Sequence, residues 1–191
     1  MTSRRGLLIV ISGPSGVGKD TLIEHLLKLD ANLRYSVSYT TRAPRPGEVD
    51  GVNYRFVSRE QFEKLIQQVA LLEHATYNGN LYGTPAAPVQ EARAAGFDIV
   101  LKIEVHGARL VRQRAADGLF IFLAPPSTEE LVRRQELRQS ESRKDMAERL
   151  LIADKEMTYA ADYDFVVVND EIDRAVAEVL AIIRKARERQ T

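Results

Sequence analysis

The sequence predicts an α/β protein in which a parallel sheet is covered by helices on both faces. Short, largely apolar runs at residues 7–12, 97–105, 119–123 and 165–168 are typical of parallel strands that are buried on both faces. Segments with apolar residues at helical spacing alternate with these runs. The first run leads directly into a glycine-rich turn, and the turn leads into a helix.

This glycine-rich turn, residues 13–18, is followed by Lys19 and then by apolar residues at helical spacing. In such a turn, backbone N–H groups converge on phosphate oxygens, the helix N-terminus adds its positive dipole end, and a lysine neutralises the outer phosphates. A GxxxxGK pattern alone also occurs by chance, but the strand before it and the helix after it favour a P-loop. The predicted nucleotide-binding residues are Gly13, Pro14, Ser15, Gly16, Val17, Gly18, Lys19, Asp20 and Thr21.

Composition and charge indicate a soluble globular protein. The chain has 191 residues, of which 45% are hydrophobic and 28% charged, so we expect one compact domain with inserted subdomains. Basic and acidic residues both number 27, and this balance does not call for a nucleic acid or a membrane as partner. There are no cysteines, and the apolar segment after the N-terminus is too short for a signal or a membrane span. We therefore expect a cytoplasmic protein.

Residues 36–84 are predicted to form a small, mostly β insertion. A short alternating strand at residues 35–39 leads into a loop that contains two prolines, so Arg42 and Arg45 lie outside any helix. These arginines could belong to a solvated basic turn, but a guanidinium pair held by prolines also suits bidentate capture of a phosphate. Further on, a strand at residues 55–58 ends at Ser58, which starts a Ser-x-x-Gln capping box, and an Asn-Gly turn predicts a hairpin. A helix over about residues 88–95 then returns the chain to the main sheet.

In the second half of the chain, charged residues follow apolar strands. Lys102 and Glu104 are two residues apart, so we expect both to project from one face at the carboxyl end of a strand, where ligands bind to open α/β sheets. Residues 127–162 read as two polar helices, in which Arg134 and Arg138 share a face at i and i+4. A pair of charge-rich helices usually just presents a solvated surface, but the arginines of this pair also suit a lid. Asn169 and Asp170 are predicted to cap a C-terminal amphipathic helix.

Over residues 6–184 the chain resembles the guanylate kinase family. Four blocks carry the resemblance: residues 13–19, residues 36–58 with their Thr-Thr-Arg-x-Pro-Arg-x-Gly-Glu core, residues 77–84, and residues 124–127 together with 168–170. The resemblance implies the P-loop nucleoside monophosphate kinase fold, with a parallel sheet core, a small mostly β GMP-binding insertion and a helical lid over ATP. The implied parts are a core of residues 6–35, 96–125 and 163–188, a GMP-binding subdomain of residues 36–95, and a lid of residues 126–162.

The same resemblance implies transfer of the ATP γ-phosphoryl group to GMP, with magnesium bound to ATP. It places Arg42, Arg45, Tyr54 and Tyr82 on the GMP phosphate, and Ser38, Glu73 and Thr84 on the guanine. A carboxylate such as Glu73 can accept hydrogen bonds from both N1–H and the amino group of guanine, although Glu73 could also be an exposed strand residue. Lys19 and Arg42 are expected to act in catalysis with three arginines of the lid and its hinge, Arg134, Arg138 and Arg149. The expected partners are ATP and GMP, with dGMP as a further candidate acceptor, in a monomer or small homo-oligomer.

Three charged positions depart from the family pattern. Asp20 stands where a serine or threonine usually offers its hydroxyl to magnesium, and Thr21, one residue later, points elsewhere on the helix. Lys102 replaces a usual acidic residue, and Glu104 replaces a second aspartate. Asp20 and Lys102 could form an ion pair that restores the local charge, or Asp20 could itself bind magnesium. Glu104 could bind GMP or a water on magnesium, and the lid lacks the usual glycine after Arg138.

Two other functions compete with this interpretation. One is a different P-loop small-molecule kinase, because Gly-Lys-Asp also resembles the phosphate-binding loop of ribose 1,5-bisphosphate phosphokinases. An enzyme whose substrate lacks a purine has no reason to carry together the residues expected to bind GMP, namely Ser38, Arg42, Arg45, Tyr54, Glu73 and Tyr82. The other is a catalytically silent guanylate-kinase-like module that binds proteins. Such modules lose parts of the phosphate loop, whereas Gly13, Gly18 and Lys19 are all present in this chain.

Overall fold

The computed structural model describes residues 4–136, 155 and 157–190, and within them the chain builds two sheets. The core sheet has five parallel strands in the order β2-β7-β1-β8-β9, and the second sheet has four strands in the order β4-β3-β6-β5. A short 3-10 helix at Thr158–Asp162 precedes the last strand. The elements are β1 (Leu8–Ser12), α1 (Lys19–Leu29), β2 (Leu33–Tyr35), β3 (Tyr39–Thr40), β4 (Arg55–Phe56), α2 (Arg59–Gln67), β5 (Leu71–Tyr77), β6 (Asn80–Pro85), α3 (Ala86–Ala94), β7 (Asp98–Lys102), α4 (Val105–Arg114), β8 (Leu119–Ala124), α5 (Thr128–Glu136), β9 (Phe165–Val168) and α6 (Ile172–Glu188).

The central strand β1 is buried along its whole length, as its apolar run predicts. Successive side chains of a strand point to opposite faces. Accordingly, Ile9 and Ile11 pack with α1 and α6, whereas Leu8 and Val10 pack with α3 and α4. Burial on both faces explains why this strand reads as a continuous hydrophobic run, and it confirms the predicted parallel core.

Parallel pairing brings the carboxyl ends of the core strands to one edge of the sheet. Ile11 of β1 is paired with Lys102 of β7, and Ser12 is paired with Phe122 of β8. The loop that follows β1 and the residues that follow β7 therefore emerge side by side. This edge is where open α/β sheets bind ligands.

The second sheet is formed by the insertion. Strands β5 and β6 form the predicted antiparallel hairpin, and Asn78 and Gly79 turn it with positive φ angles of 46° and 75°. Strand β3 pairs with β6, which attaches the start of the insertion to this hairpin. The predicted capping box is present, since Ser58 and Gln61 satisfy each other's backbone N–H groups at the start of α2.

The sequence predicted one strand at residues 35–39, but the structure divides this segment between two strands. Tyr35 ends β2 in the core sheet, whereas Tyr39 begins β3 in the second sheet. Between them, the Ser36 N–H donates to the Val100 carbonyl and the Ser38 carbonyl accepts from Arg55. Alternation predicts extended backbone, but it does not identify the neighbouring strand, and here the chain changes sheets.

Other boundaries differ by a few residues. Helix α3 begins at Ala86 rather than at Pro88, because a proline in the first helical turn lacks only an N–H that needs no partner there. Strand β7 ends at Lys102, and Glu104 lies beyond it at the start of α4. Asn169 and Asp170 do not cap α6, whose flanking residue is Glu171 and makes no side-chain cap bond. Of the two predicted lid helices, α5 is described, and residues 137–154 lie outside the described residues.

Among the residues that the structure describes, no helix is both long enough and apolar enough to span a membrane.

Candidate active site

The glycine-rich turn lies between β1 and α1, at the ligand-binding edge of the core sheet. A side chain at Gly13 would collide with the backbone carbonyl of Leu123, so only glycine fits this approach to β8. The Lys19 side chain is buried, and its ammonium donates to the carbonyl oxygens of Gly13 and Pro14, the latter at 3.0 Å. The turn thus holds a lysine cation and a helix N-terminus at one point, which suits binding of phosphate groups.

Asn169 supports this turn from the end of β9. Its side-chain amide is buried and donates to the Val17 carbonyl at 2.8 Å. A side chain at Gly18 would collide with the same amide group, so the two residues are closely packed. From the sequence, Asn169 was predicted to cap a helix, and its contact with Val17 was not predicted because 152 residues separate the partners.

Asp20 and Lys102 form the ion pair that their positions and charges suggested. The Lys102 ammonium lies 2.5 Å from Oδ1 of Asp20, and the side chains are 10% and 72% exposed. The ammonium also lies 4.8 Å from the centre of the Tyr54 ring, within the range of a cation–π contact. Burial alone would lower the pKa of Lys102, but Tyr35, Tyr54 and Asp20 more than offset it, so the pKa lies above its usual value and the lysine is charged.

In the insertion, Arg42 and Arg45 share a carboxylate. Glu48 accepts from the Arg42 guanidinium at 2.8 Å and from the backbone N–H of Arg45 at 2.7 Å. The Arg42 guanidinium lies 5.5 Å from the centre of the Tyr54 ring, and Tyr54 contacts the ring of Tyr82 at 5.9 Å. Burial raises the pKa of Tyr54 to about 12, so its hydroxyl stays protonated and can donate. Glu48 belongs to the conspicuous Arg-x-Pro-Arg-x-Gly-Glu core, but no function was assigned to it from the sequence.

Glu73 and Thr84 face each other across the β5–β6 hairpin. The Thr84 hydroxyl donates to Oε1 of Glu73 at 2.7 Å, and both residues are buried. A Cβ atom at Gly107 of α4 would lie only 2.9 Å from the other oxygen, Oε2. Burial raises the pKa of Glu73, although the Thr84 hydrogen bond opposes this. Both oxygens of the carboxyl group are therefore closely surrounded. Burial disfavours the ionised form unless further hydrogen-bond donors, such as those of a ligand, contact it.

Glu73 and the basic residues line two adjoining cavities. The first holds Glu73, Ser38 and Gly107, and the second holds Lys19, Asp20, Arg42 and Arg45. Both cavities are lined by Tyr54, Tyr77, Tyr82, Lys102 and Glu104. A third cavity, on the other side of the glycine-rich turn, is lined by Gly16, Gly18, Thr21, Arg134, Asn169, Asp170 and Ile172.

The family model described as Guanylate kinase matches residues 5–186. The chain belongs to the guanylate kinase family. It is 50% identical over 183 residues to a guanylate kinase of Desulfitobacterium hafniense, with 96% of this chain and 92% of the relative covered. It is 52% identical over 183 residues to a guanylate kinase of Halalkalibacterium halodurans, with 96% and 90% covered. The crystal structure of guanylate kinase from Anaplasma phagocytophilum matches with a TM-score of 0.82 at 34% identity, covering 97% of this chain and 88% of that one.

Most residues predicted for a guanylate kinase site line these cavities, but Gly13, Pro14, Val17 and Thr84 line none of the three. Pro14 and Val17 are buried, and the Val17 side chain packs into the hydrophobic core. A bound nucleotide would therefore contact only the backbone of Val17. Arg134 donates to Glu130 at 2.8 Å within α5 and lines the third cavity. Arg138 and Arg149 lie outside the described residues.

Two acidic residues, Asp20 and Glu104, line the cavity that contains Lys19 and are the candidate ligands for a magnesium ion. Within the described residues, no group of three or more His, Cys, Asp or Glu side chains could hold a metal by itself. Magnesium commonly binds through one or two carboxylates together with substrate phosphates and water. Oε2 of Glu104 is buried without a hydrogen-bond partner among the described residues, and Glu104 lines the cavity that contains Lys19. Asp20 lines the same cavity, but its Oδ1 is engaged by Lys102.

Proposed function

We propose that this guanylate kinase family member transfers the γ-phosphoryl group of ATP to GMP, giving ADP and GDP. One observation carries the proposal: the buried Glu73 carboxyl group and the phosphate-binding turn open into adjoining cavities lined by the same tyrosines. An acceptor whose base meets Glu73 would extend its phosphate toward Arg42, Arg45 and Lys19. The acceptor phosphate and the donor phosphates then meet in one cleft.

On the phosphate side, the proposed chemistry is positioning and charge neutralisation. The attacking GMP oxygen is already anionic, so no general base is needed, and the histidines of the chain need no catalytic role. Arg42 and Arg45 would bind the acceptor phosphate with the hydroxyls of Tyr54 and Tyr82, and Lys19 would neutralise the donor phosphates. Holding both groups in line is the main contribution to such a transfer.

On the base side, the proposed recognition rests on hydrogen bonds to a buried carboxylate. Oε1 of Glu73 is shared with Thr84, and Ser38 lines the same cavity. Guanine offers N1–H and an amino group side by side, whereas adenine has no N1 hydrogen. AMP would leave the carboxylate buried and unpaired, and a site built on such bonds can discriminate by up to about 10⁴–10⁵.

Magnesium is the proposed cofactor, with Glu104 and, less directly, Asp20 as the residues that would hold it or its water ligands. When bound to ATP, the ion neutralises charge on the transferred phosphoryl group. Arg134 would supply charge from the ATP side, and Arg138 and Arg149, which lie outside the described residues, are proposed for the same task. A transition-state arginine can contribute roughly 10³–10⁵ in rate.

The proposed division of labour follows three parts of the chain. Residues 6–35, 96–125 and 163–188 would form the core, residues 36–95 the GMP-binding subdomain, and residues 126–162 the lid. ATP and GMP are the proposed substrates, and dGMP is a further proposed acceptor. We propose a monomer or small homo-oligomer that works in the cytoplasm, where both nucleotides occur.

The test is ADP production from ATP and magnesium with GMP, AMP, IMP or ribose 1,5-bisphosphate offered separately. We expect rapid turnover with GMP, weak or no turnover with AMP and ribose 1,5-bisphosphate, and loss of turnover in Lys19→Ala. Turnover on ribose 1,5-bisphosphate in preference to GMP would replace the proposal with a different small-molecule kinase. Absence of turnover, together with no stabilisation by ATP and magnesium, would support a non-catalytic binding module.

A further inference from the structure

Lys102 connects three parts of the molecule that are distant in sequence. Its backbone is fixed at the end of β7, where it pairs with Ile11 of β1. Its ammonium forms the ion pair with Asp20 in the first turn of α1 and lies against the ring of Tyr54 in the insertion. The ring of Tyr35, at the end of β2, lies on the same ammonium at 5.9 Å. One cation therefore joins the core sheet, the phosphate-loop helix and the insertion.

Tyr54 is contacted by two cations, and each has its own carboxylate. Arg42 lies 5.5 Å from the ring centre and is paired with Glu48, whereas Lys102 lies 4.8 Å from it and is paired with Asp20. The Arg42 pair belongs entirely to the insertion. Lys102 and its partner Asp20 lie outside the insertion, on β7 and α1. Their ion pair therefore fixes the position of the Tyr54 ring relative to the phosphate-binding turn.

Phosphoryl transfer depends on this relative placement, because the attacking oxygen must approach the γ-phosphorus closely and in line. A misplacement of about 1 Å can cost about 10²-fold in rate. We propose that Lys102 is a positioning residue that acts through Asp20 and Tyr54 to hold the acceptor phosphate site in register with the P-loop. The inference rests on the proposed function, and it assigns to the Asp20–Lys102 pair a task in the transfer step rather than in substrate affinity.

The experiment is a double-mutant cycle with Lys102→Met, Asp20→Asn and the double variant, assayed with GMP, ATP and magnesium. The measured quantities are kcat, KM for GMP, the calorimetric Kd of GMP and the thermal midpoint. Lys28→Met is the matched control, because Lys28 forms an ion pair with Glu24 on the same helix α1 but on its exposed surface. Lys102→Arg tests rescue by a residue that keeps the charge.

We expect each single variant to lose about 10- to 100-fold in kcat while the Kd of GMP changes less than about threefold. The double variant should lose no more than the more impaired single variant, because both changes break the same contact. Lys102→Arg should recover part of kcat, and Lys28→Met should behave as the wild type. Because Asp20 is largely exposed, Asp20→Asn keeps the test valid even if Lys102→Met folds poorly.

Two results would overturn the inference. If Lys102→Met weakens GMP binding strongly while Asp20→Asn leaves kcat unchanged, Lys102 binds phosphate directly and does not act through Asp20. If the thermal midpoint falls while kcat and KM stay at their wild-type values, the pair is purely structural. The wild-type assay separates this inference from the proposed function, since a wild type that does not phosphorylate GMP contradicts the function itself.

Discussion

Glu48 accepts a hydrogen bond from the Arg42 guanidinium at 2.8 Å, and this contact holds the guanidinium next to the Tyr54 ring. Both side chains are mostly buried, at 15% and 18% exposure. The hydrogen bond to Glu48 raises the pKa of Arg42, although that residue is charged in any case. A second oxygen of the same carboxylate holds the Arg45 backbone. One glutamate thus fixes the loop that carries both arginines proposed for the acceptor phosphate.

Glu48→Gln should raise KM for GMP about tenfold, because a hydrogen bond to a charged partner contributes about 1.5–3 kcal/mol and an amide retains only part of it. KM for ATP should stay unchanged. The measurement is steady-state kinetics with each substrate varied in turn. Glu24→Gln, which removes an exposed partner of Lys28, is the control and should change neither constant. An unaltered KM for GMP in Glu48→Gln would show that Arg42 needs no such support.

Glu73 should give the protein a stability that depends on pH. Burial raises its pKa in the folded protein above the usual 4.5. The folded state then binds this proton more tightly than the unfolded state, so the stability contributed by Glu73 is present at low pH and is lost as pH rises through the folded pKa. Without nucleotide, Glu73→Gln should therefore gain free energy of unfolding relative to wild type on going from acidic to neutral pH.

The gain should be about 1.4 kcal/mol for each unit by which burial raises the pKa. Urea denaturation of both proteins across this pH range measures it. A difference between the two proteins that does not change with pH would mean that Glu73 titrates normally in the folded state. Glu63→Gln, on the exposed surface of α2, serves as the control and should leave the pH dependence unchanged.

Gly107→Ala should impair recognition of GMP without unfolding the protein. The new Cβ atom would stand 2.9 Å from Oε2 of Glu73, so the carboxylate must move away. Alanine is favoured over glycine in a helix by about 1 kcal/mol, which offsets part of the strain in α4. We expect KM for GMP to rise at least about tenfold. The control Gln113→Ala, on the exposed side of α4, should leave it unchanged, and an equal KM in both variants would contradict the packing argument.

Asn169→Ala should weaken ATP binding selectively. It removes the donor to the Val17 carbonyl, which leaves that group buried and unpaired at a cost of about 1–3 kcal/mol. The loosened turn should raise KM for ATP about tenfold, by the same free-energy range, with little effect on GMP binding. Asn32→Ala is a useful control, because its amide also bonds a backbone carbonyl, that of Gly96, far along the chain from the P-loop. Equal changes in the ATP KM of both variants would indicate general destabilisation.

The sequence predicted those features that depend on local pattern. The apolar runs identified the core strands, Asn78 and Gly79 identified the hairpin turn, and Ser58 and Gln61 identified the capping box. The Asp20–Lys102 pair could also be predicted, since a P-loop and the end of the neighbouring strand must be close in a parallel sheet. In each case the partners are either near in sequence or brought together by the fold class itself.

Contacts that depend on the particular packing of distant segments were not predicted. Asn169 lies 152 residues from Val17, and its position after a strand reads equally well as a helix cap. The change of sheet after Tyr35 leaves no trace in the alternation of residues 35–39. The contacts of Glu48 could have been predicted from the sequence. Glu48 follows Arg42 by six residues and Arg45 by three in a loop that contains prolines, so its carboxylate is close enough to bind both.

This cleft is proposed to transfer a phosphoryl group from ATP to a guanine nucleotide that Glu73 selects. The most direct measurement uses ATP labelled at its γ-phosphate and one mixture of GMP, AMP, IMP and ribose 1,5-bisphosphate, with the products separated by chromatography. For the wild type we expect almost all transferred label in GDP, and for Glu73→Gln a large loss of that preference. Label in ADP or in a ribose phosphate product of the wild type, or an unchanged preference in Glu73→Gln, would contradict selection of a guanine nucleotide by Glu73.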